Sequence, residues 1–175
     1  MSETDDKLMV AAGLGDQDAM DSLARRHRAR IVRFALRMLG DLAAAEDVAQ
    51  ETLIRLWSAS PTYRPQGRFL PYLYAVARSR CAEQARCSTP QPPVPVADPP
   101  PREPSGLDHV GRALDGMPRD FREVLVLSVC EGLTYAEIAA ALGIPKGTVA
   151  SRKAAGLRVL RDRVEGLRSA EGEVC

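Results

Sequence analysis

Eight prolines fall within the fifteen residues from Pro90 to Pro104. Each removes a backbone donor and fixes its own φ, so neither a helix nor a strand can run through the segment. The 175-residue chain is thereby divided into residues 1–87 and 106–175, joined by a proline-rich linker over 88–105. Each side is long enough for a small domain. An apolar fraction of 45% allows both to build cores, although aromatic residues supply only 5%.

Hydrophobic spacing on both sides is helical, without convincing strand alternation or an internal repeat, so the expected class is all-α. Asp16 can cap a helix running to Leu39, with Met20, Leu23, Ile31, Phe34, Ala35 and Met38 on one face and Gly40 ending it. Asp41 opens the next helix, where Ala45, Val48, Ala49, Thr52, Leu53 and Leu56 form the apolar stripe. Glu46, Asp47, Gln50 and Glu51 lie mostly off that stripe. Residues 58–68 read as a loop with Pro61, Pro65 and Gly67. A third helix comes next with a stripe of Phe69, Tyr72, Leu73, Val76 and Ala77, provided that Pro71 sits in its first turn.

Past the linker, residues 107–114 and 118–130 read as helices, the second presenting Phe121, Val124, Leu125 and Ser128 to a helix-turn-helix. That motif is two short helices meeting at a tight turn. Thr134 and Glu137 make a capping box, and Leu133 and Ile138 flank it as a hydrophobic staple. Gly132 and Gly143 stand where helices stop with positive φ, and Ile144-Pro145 launches the last helix. Its core stripe is Val149, Leu157, Leu160, Val164 and Leu167. Gly156 within it costs roughly 1 kcal/mol relative to alanine unless close packing requires it. Between Ile144 and Arg163 the chain carries Lys146, Arg152, Lys153, Arg158, Arg161 and Arg163 against the single acid Asp162. A helix-turn-helix with a cationic second helix fits the DNA major groove.

Charge limits what that helix can do alone. Residues 1–87 carry 13 basic and 11 acidic side chains, residues 110–175 carry 10 and 9, and the net charge is +1. Non-specific duplex affinity comes from neutralised phosphates, so the chain is expected to grip DNA weakly and to borrow affinity from a partner. Four cysteines (Cys81, Cys87, Cys130, Cys175) form no CxxC pair, and His27 and His109 are isolated, so no metal site or cofactor is expected. No nucleophile–base pair or phosphate loop points to catalysis. No stretch approaches 18 consecutive apolar residues, and the N-terminus MSETDDKLM has no apolar signal core, so membrane insertion is not expected and the location is expected to be cytoplasmic.

Two stretches together resemble a known family. AEDVAQETLIRLW (45–57), followed by YRPQGRFLPYLYAVARSR (63–80), resembles region 2 of bacterial RNA polymerase sigma factors. LDGMPRDFREVLVLSVCEGLTYAEIAAALGIPKGTVASRKAAGLRVLR (114–161) resembles region 4. With only these two regions and a short linker, the chain is similar to the extracytoplasmic-function, or group IV, subfamily. The resemblance implies two helical domains, region 2 over 1–87 and region 4 over 106–175. It also implies binding to core polymerase and promoter-specific initiation, probed at the −10 and −35 elements, under an anti-sigma factor.

By the same resemblance, Asp47, Gln50, Glu51 and Leu53 would dock on the β′ clamp helices. An acidic and amide helix face can pair with basic residues there. Tyr63, Arg64, Arg68, Phe69, Tyr72, Arg78 and Arg80 would meet the −10 element, where an opened strand needs stacking surfaces and cations. Phe69 and Tyr72 fit a core stripe equally well. Lys146, Thr148, Ser151, Arg152 and Lys153, in the first two turns of the last helix, would meet the −35 element. The helix 118–131 with the helix-turn-helix would hold the β flap. The competing reading is a stand-alone helix-turn-helix regulator with an N-terminal sensor or dimerisation domain.

Overall fold

The computed structural model describes residues 4–87, 111–114 and 116–172. Helices α1 (Asp5–Gly13), α2 (Gln17–Leu39), α3 (Leu42–Ala59) and α4 (Phe69–Cys87) form the first module, with a 3-10 turn at Ser60–Thr62. Helix α5 (Arg119–Leu125), a π-helical turn at Val126–Cys130, α6 (Tyr135–Leu142) and α7 (Lys146–Gly172) form the second. No strand occurs among the described residues. Residues 111–114 are helical, while the rest of the helix expected over 107–114 lies outside the described residues. The linker 88–105, His109 and Cys175 lie outside them as well.

Local signals place the helix ends. Asp16 accepts from the Ala19 amide at 3.0 Å and Asp41 from the Ala44 amide at 2.6 Å. Gly40 closes α2 at φ 75°, a left-handed conformation that disfavours any Cβ. The capping box of α6 is reciprocal: the Glu137 amide donates to Thr134 Oγ1 at 3.3 Å, and the Thr134 amide to Glu137 Oε2 at 2.8 Å. Leu133 and Ile138 are both buried beside it. Pro71 lies in the first turn of α4, where its missing amide costs nothing.

Three features depart from the sequence reading. Helix α1 was not expected, yet it buries Leu8, Met9 and Ala12. The helix expected over 118–130 is α-helical only to Leu125 and then widens, the Glu131 amide bonding to Val126 O at 3.1 Å. Leu157, assigned to the core stripe of α7, is exposed. The seam of α7 instead runs through Val149 and Gly156. A Cβ at Gly156 would stand 3.2 Å from Leu125 and 3.3 Å from Phe121, so close packing against α5 explains the glycine.

The largest apolar cluster crosses between the modules. It joins Leu23, Ile31, Phe34, Leu56 and Leu73 to Val124, Val126, Leu127, Ile138 and Val149. A smaller cluster of Leu114, Met117 and Leu125 takes Phe121, Val159 and Leu160 under the start of the second module. The two modules therefore share a core.

Candidate nucleic-acid interface

The loop between the 3-10 turn and α4 gathers part of the expected −10 set. Tyr63, Arg64, Arg68 and Tyr72 line one open pocket with Ala59, Thr62 and Gln66. The Tyr63 and Tyr72 rings lie 5.5 Å apart, and Tyr63 meets Phe69 edge-on at 6.5 Å. Tyr63 donates its hydroxyl to Asp6 Oδ1 at 2.7 Å. Burial, then that hydrogen bond, push its pKa up, and burial raises that of Tyr72, so both are neutral donors. Phe69 is only 3% exposed and tilts against His27 at 5.2 Å, so it is a core side chain and not a surface platform. The two readings open for it are resolved toward packing, whereas half-buried Tyr72 remains at the pocket.

Arg78 and Arg80 are not brought to that pocket. Arg78 Nε donates to Glu123 Oε2 of the second module at 2.8 Å. Arg80 pairs with Glu83, which Arg55 of α3 also holds at 2.9 Å. Both cations are committed to ion pairs before any nucleic acid arrives.

On α3, Asp47 and Gln50 are exposed, while Glu51 is half-buried beside Arg55 at 3.3 Å. Leu53 packs partly against the core. The apolar members of the open face are Ile54 and Trp57, exposed by 49% and 38%. Sequence reasoning passed over them. Their signal was present, since 47, 50, 54 and 57 recur at helical spacing opposite the buried stripe.

The recognition helix shows a similar division. Lys146 and Ser151 are exposed and Thr148 is half-buried. Arg152 is tied to Asp120 of α5 at 2.6 Å, and the Lys153 ammonium sits 5.3 Å over the Tyr135 ring. The outward face runs through Lys146, Gly147, Ala150, Ser151, Ala154 and Arg158. Small residues along such a face let backbone approach a groove closely. Arg158 thus shares the exposed face of Lys146 and Ser151, although it lies beyond the first two turns to which the −35 contacts were assigned.

Two buried carboxylates escaped the sequence reading: Glu123, 1% exposed, and Glu131, 8% exposed. Each occupies a core-facing position in a mostly apolar run, which was the available sign. Cys81 is buried, and desolvation pushes its thiol up to about 12, so it is no reactive thiolate. Among the described residues no group of His, Cys, Asp and Glu is placed to hold a metal, and no helix is long and apolar enough to cross a membrane.

This arrangement has known counterparts. Residues 23–89 match the family Sigma-70 region 2, and residues 107–160 match Sigma-70, region 4. The ECF RNA polymerase sigma factor SigE of Mycolicibacterium smegmatis is 37% identical over 164 residues, covering 85% of this chain and 63% of that protein. The RNA polymerase sigma factor CarQ of Myxococcus xanthus is 33% identical over 157 residues, covering 85% of this chain and 90% of CarQ. The ECF RNA polymerase sigma factor SigL of Mycobacterium tuberculosis is 35% identical over 164 residues, covering 86% and 91%. CnrH, solved in complex with the cytosolic domain of CnrY, shares the fold at TM-score 0.75 and 24% identity, over 96% of this chain and 99% of CnrH. The sigma factor RpoE of Bartonella quintana, solved with the anti-sigma factor NepR, shares it at TM-score 0.67 and 20% identity, over 83% and 96%. The chain belongs to the sigma-70 family, in its extracytoplasmic-function branch.

Proposed function

We propose that this chain is a dissociable specificity subunit that binds core RNA polymerase in the cytoplasm and directs initiation at promoters with matching −10 and −35 elements. The observation that carries this reading is the presence of both sigma regions, in order, on one chain. Its proposed limits are residues 1–87 for region 2, 88–105 for the linker and 106–175 for region 4.

The α3 face of Asp47, Gln50 and Glu51, with Leu53 at its edge, is the proposed seat for the β′ clamp helices, and exposed Ile54 and Trp57 add apolar anchors. Tyr63, Arg64, Arg68 and Tyr72 are the proposed −10 contacts, a pocket with rings and cations for an unstacked base. Arg78 and Arg80 join them once their carboxylate partners let go. Lys146, Thr148, Ser151, Arg152 and Lys153 are the proposed −35 set. Within it Lys146 and Ser151 stand ready, and Arg152 reaches a base edge after leaving Asp120. Helix α5 and the helix-turn-helix together are the proposed support for the β flap. An anti-sigma factor is the proposed regulator, the class of partner with which RpoE was solved.

Run-off transcription with purified core polymerase and genomic DNA fragments tests the proposal. Discrete transcripts that require this chain are expected. Sequence-specific duplex binding without polymerase, and no transcript with it, would instead identify a stand-alone regulator.

A further inference from the structure

Helix α1 precedes the residues matched to region 2, yet its first turn reaches the loop that carries Tyr63. Asp6 Oδ1 accepts the Tyr63 hydroxyl at 2.7 Å, and among the described residues Asp6 forms no ion pair. Asp5 beside it holds His27 Nε2 and Arg26 Nη1, each at 3.0 Å, and the His27 ring tilts against Phe69 at 5.2 Å. At the other end of α1, a Cβ on Gly13 would strike the Ser60 carbonyl, and Val10, Ala11 and Leu14 line a recess with Pro65. The segment from Ser60 to Phe69 is thus held by α1 along its whole length.

We propose that Asp6 is a positioning residue for −10 recognition: through the Tyr63 hydroxyl it sets the ring against which an unstacked base rests. The inference rests on the sigma-factor reading, because that reading makes Tyr63 a −10 contact. Three observations favour it over ordinary packing. First, a charge-assisted bond to the hydroxyl adds a directional constraint that the ring contacts with Tyr72 and Phe69 lack. Because the hydroxyl proton points to Asp6, Tyr63 presents its ring, and not a donor, to a base in the pocket. Second, a carboxylate beside a loop that receives a polyanion weakens binding by repulsion, so Asp6 is a liability there unless its bond serves the site. Third, Asp5 already places an acid in the first turn of α1, where the helix dipole favours one, so that dipole does not require Asp6 as well.

Binding of holoenzyme to single-stranded −10 DNA tests this. The probe is a fluorescein-labelled oligonucleotide carrying the non-template −10 segment of a promoter mapped by run-off transcription, read beside a set in which one base at a time is abasic. Asp6→Ala and Tyr63→Phe strike the bond from opposite sides. Each should weaken binding of the intact probe about fivefold, and the double variant should lose no more than either alone. At one abasic position the difference between wild type and variants should vanish, because the base that Tyr63 faces is gone. Asp6→Asn keeps an acceptor for the hydroxyl and should stay within about twofold of the wild type. Folded variants that bind the intact probe as the wild type does would overturn the proposal. So would a loss that persists at every abasic position, which marks a general effect on the loop, or an Asp6→Asn loss equal to that of Asp6→Ala. Should Asp6→Ala lose helical content, Tyr63→Phe, which leaves the ring in place, decides the matter. A wild type that yields no transcript with core polymerase removes the sigma-factor reading and the Asp6 role together. Wild-type transcription with unaltered variants removes the Asp6 role alone.

Discussion

His27 shows how a single side chain records its surroundings. Its imidazole is buried between α1 and Phe69, Nε2 lies 3.0 Å from Asp5 Oδ2, and Nδ1 has no partner. Desolvation dominates and lowers its pKa below the ordinary 6.5, against the raising effect of Asp5 and with the help of Arg30 and Arg26. The unfolded chain therefore binds a proton that the folded chain resists. The stability held above the unfolded value is lost as pH falls through 6.5 toward the lower folded value. Thermal melts of the wild type should decline between about pH 7 and pH 5 more steeply than those of His27→Gln. Parallel curves would show that His27 does not titrate on unfolding. A second residue-scale prediction concerns Arg152 and Asp120. If Asp120 holds Arg152 back, Asp120→Ala should strengthen holoenzyme binding to its promoter. Arg152→Ala should cost about 1–3 kcal/mol and relax preference at particular −35 positions. Equal losses on every −35 variant would make Arg152 a phosphate contact. The position of Arg152 was legible in the sequence; its partner was not, because pairing across helices leaves no local pattern.

Elements were legible where their instructions are local. Caps at Asp16, Asp41 and Thr134, stops at Gly40 and Gly143, and the stripe of α2 all lie within a few residues of the ends they set. Helix α1 was missed because nine residues carry too short a period to register, and its helicity depends on docking. Gly13 makes that docking visible. A Cβ there would run into the Ser60 backbone carbonyl, which cannot rotate aside as a side chain can. Gly13→Ala should destabilise the protein by about 1–3 kcal/mol in urea unfolding, despite alanine's better helix propensity. A stabilised variant would mean that α1 rides free of the 3-10 turn. Helix α3 carries the matching functional prediction. Asp47→Arg with Trp57→Ala should weaken binding to core polymerase by about 2 kcal/mol or more, with melting nearly unchanged, since both residues are exposed. Undiminished affinity would move the docking face elsewhere on the module.

At the scale of the molecule, the proline-rich segment pointed to two modules, and the matches to the two family regions, 23–89 and 107–160, fall on either side of Pro90–Pro104. It could not announce that the modules close on one another. That depends on α6 meeting α4 and on two glutamates finding arginines about 45 and 101 residues away, separations that no periodicity encodes. A shared core has a thermodynamic signature of its own. Ile138 in α6 is fully buried in the cluster that also holds Phe34, Leu56 and Leu73. Trp57, the single tryptophan, stands on α3 in the first module and reports that module's unfolding. If the core is continuous, Ile138→Ala should remove about 2–5 kcal/mol from the whole chain and not from the second module alone. Trp57 fluorescence and far-ultraviolet circular dichroism should then lose stability together, with coincident midpoints in wild type and variant. Independent modules would behave differently: the Trp57 transition would stay at its wild-type midpoint while the dichroism split into two steps. That result would confine the Ile138 packing loss to the second module and show the interface contributing little to either fold.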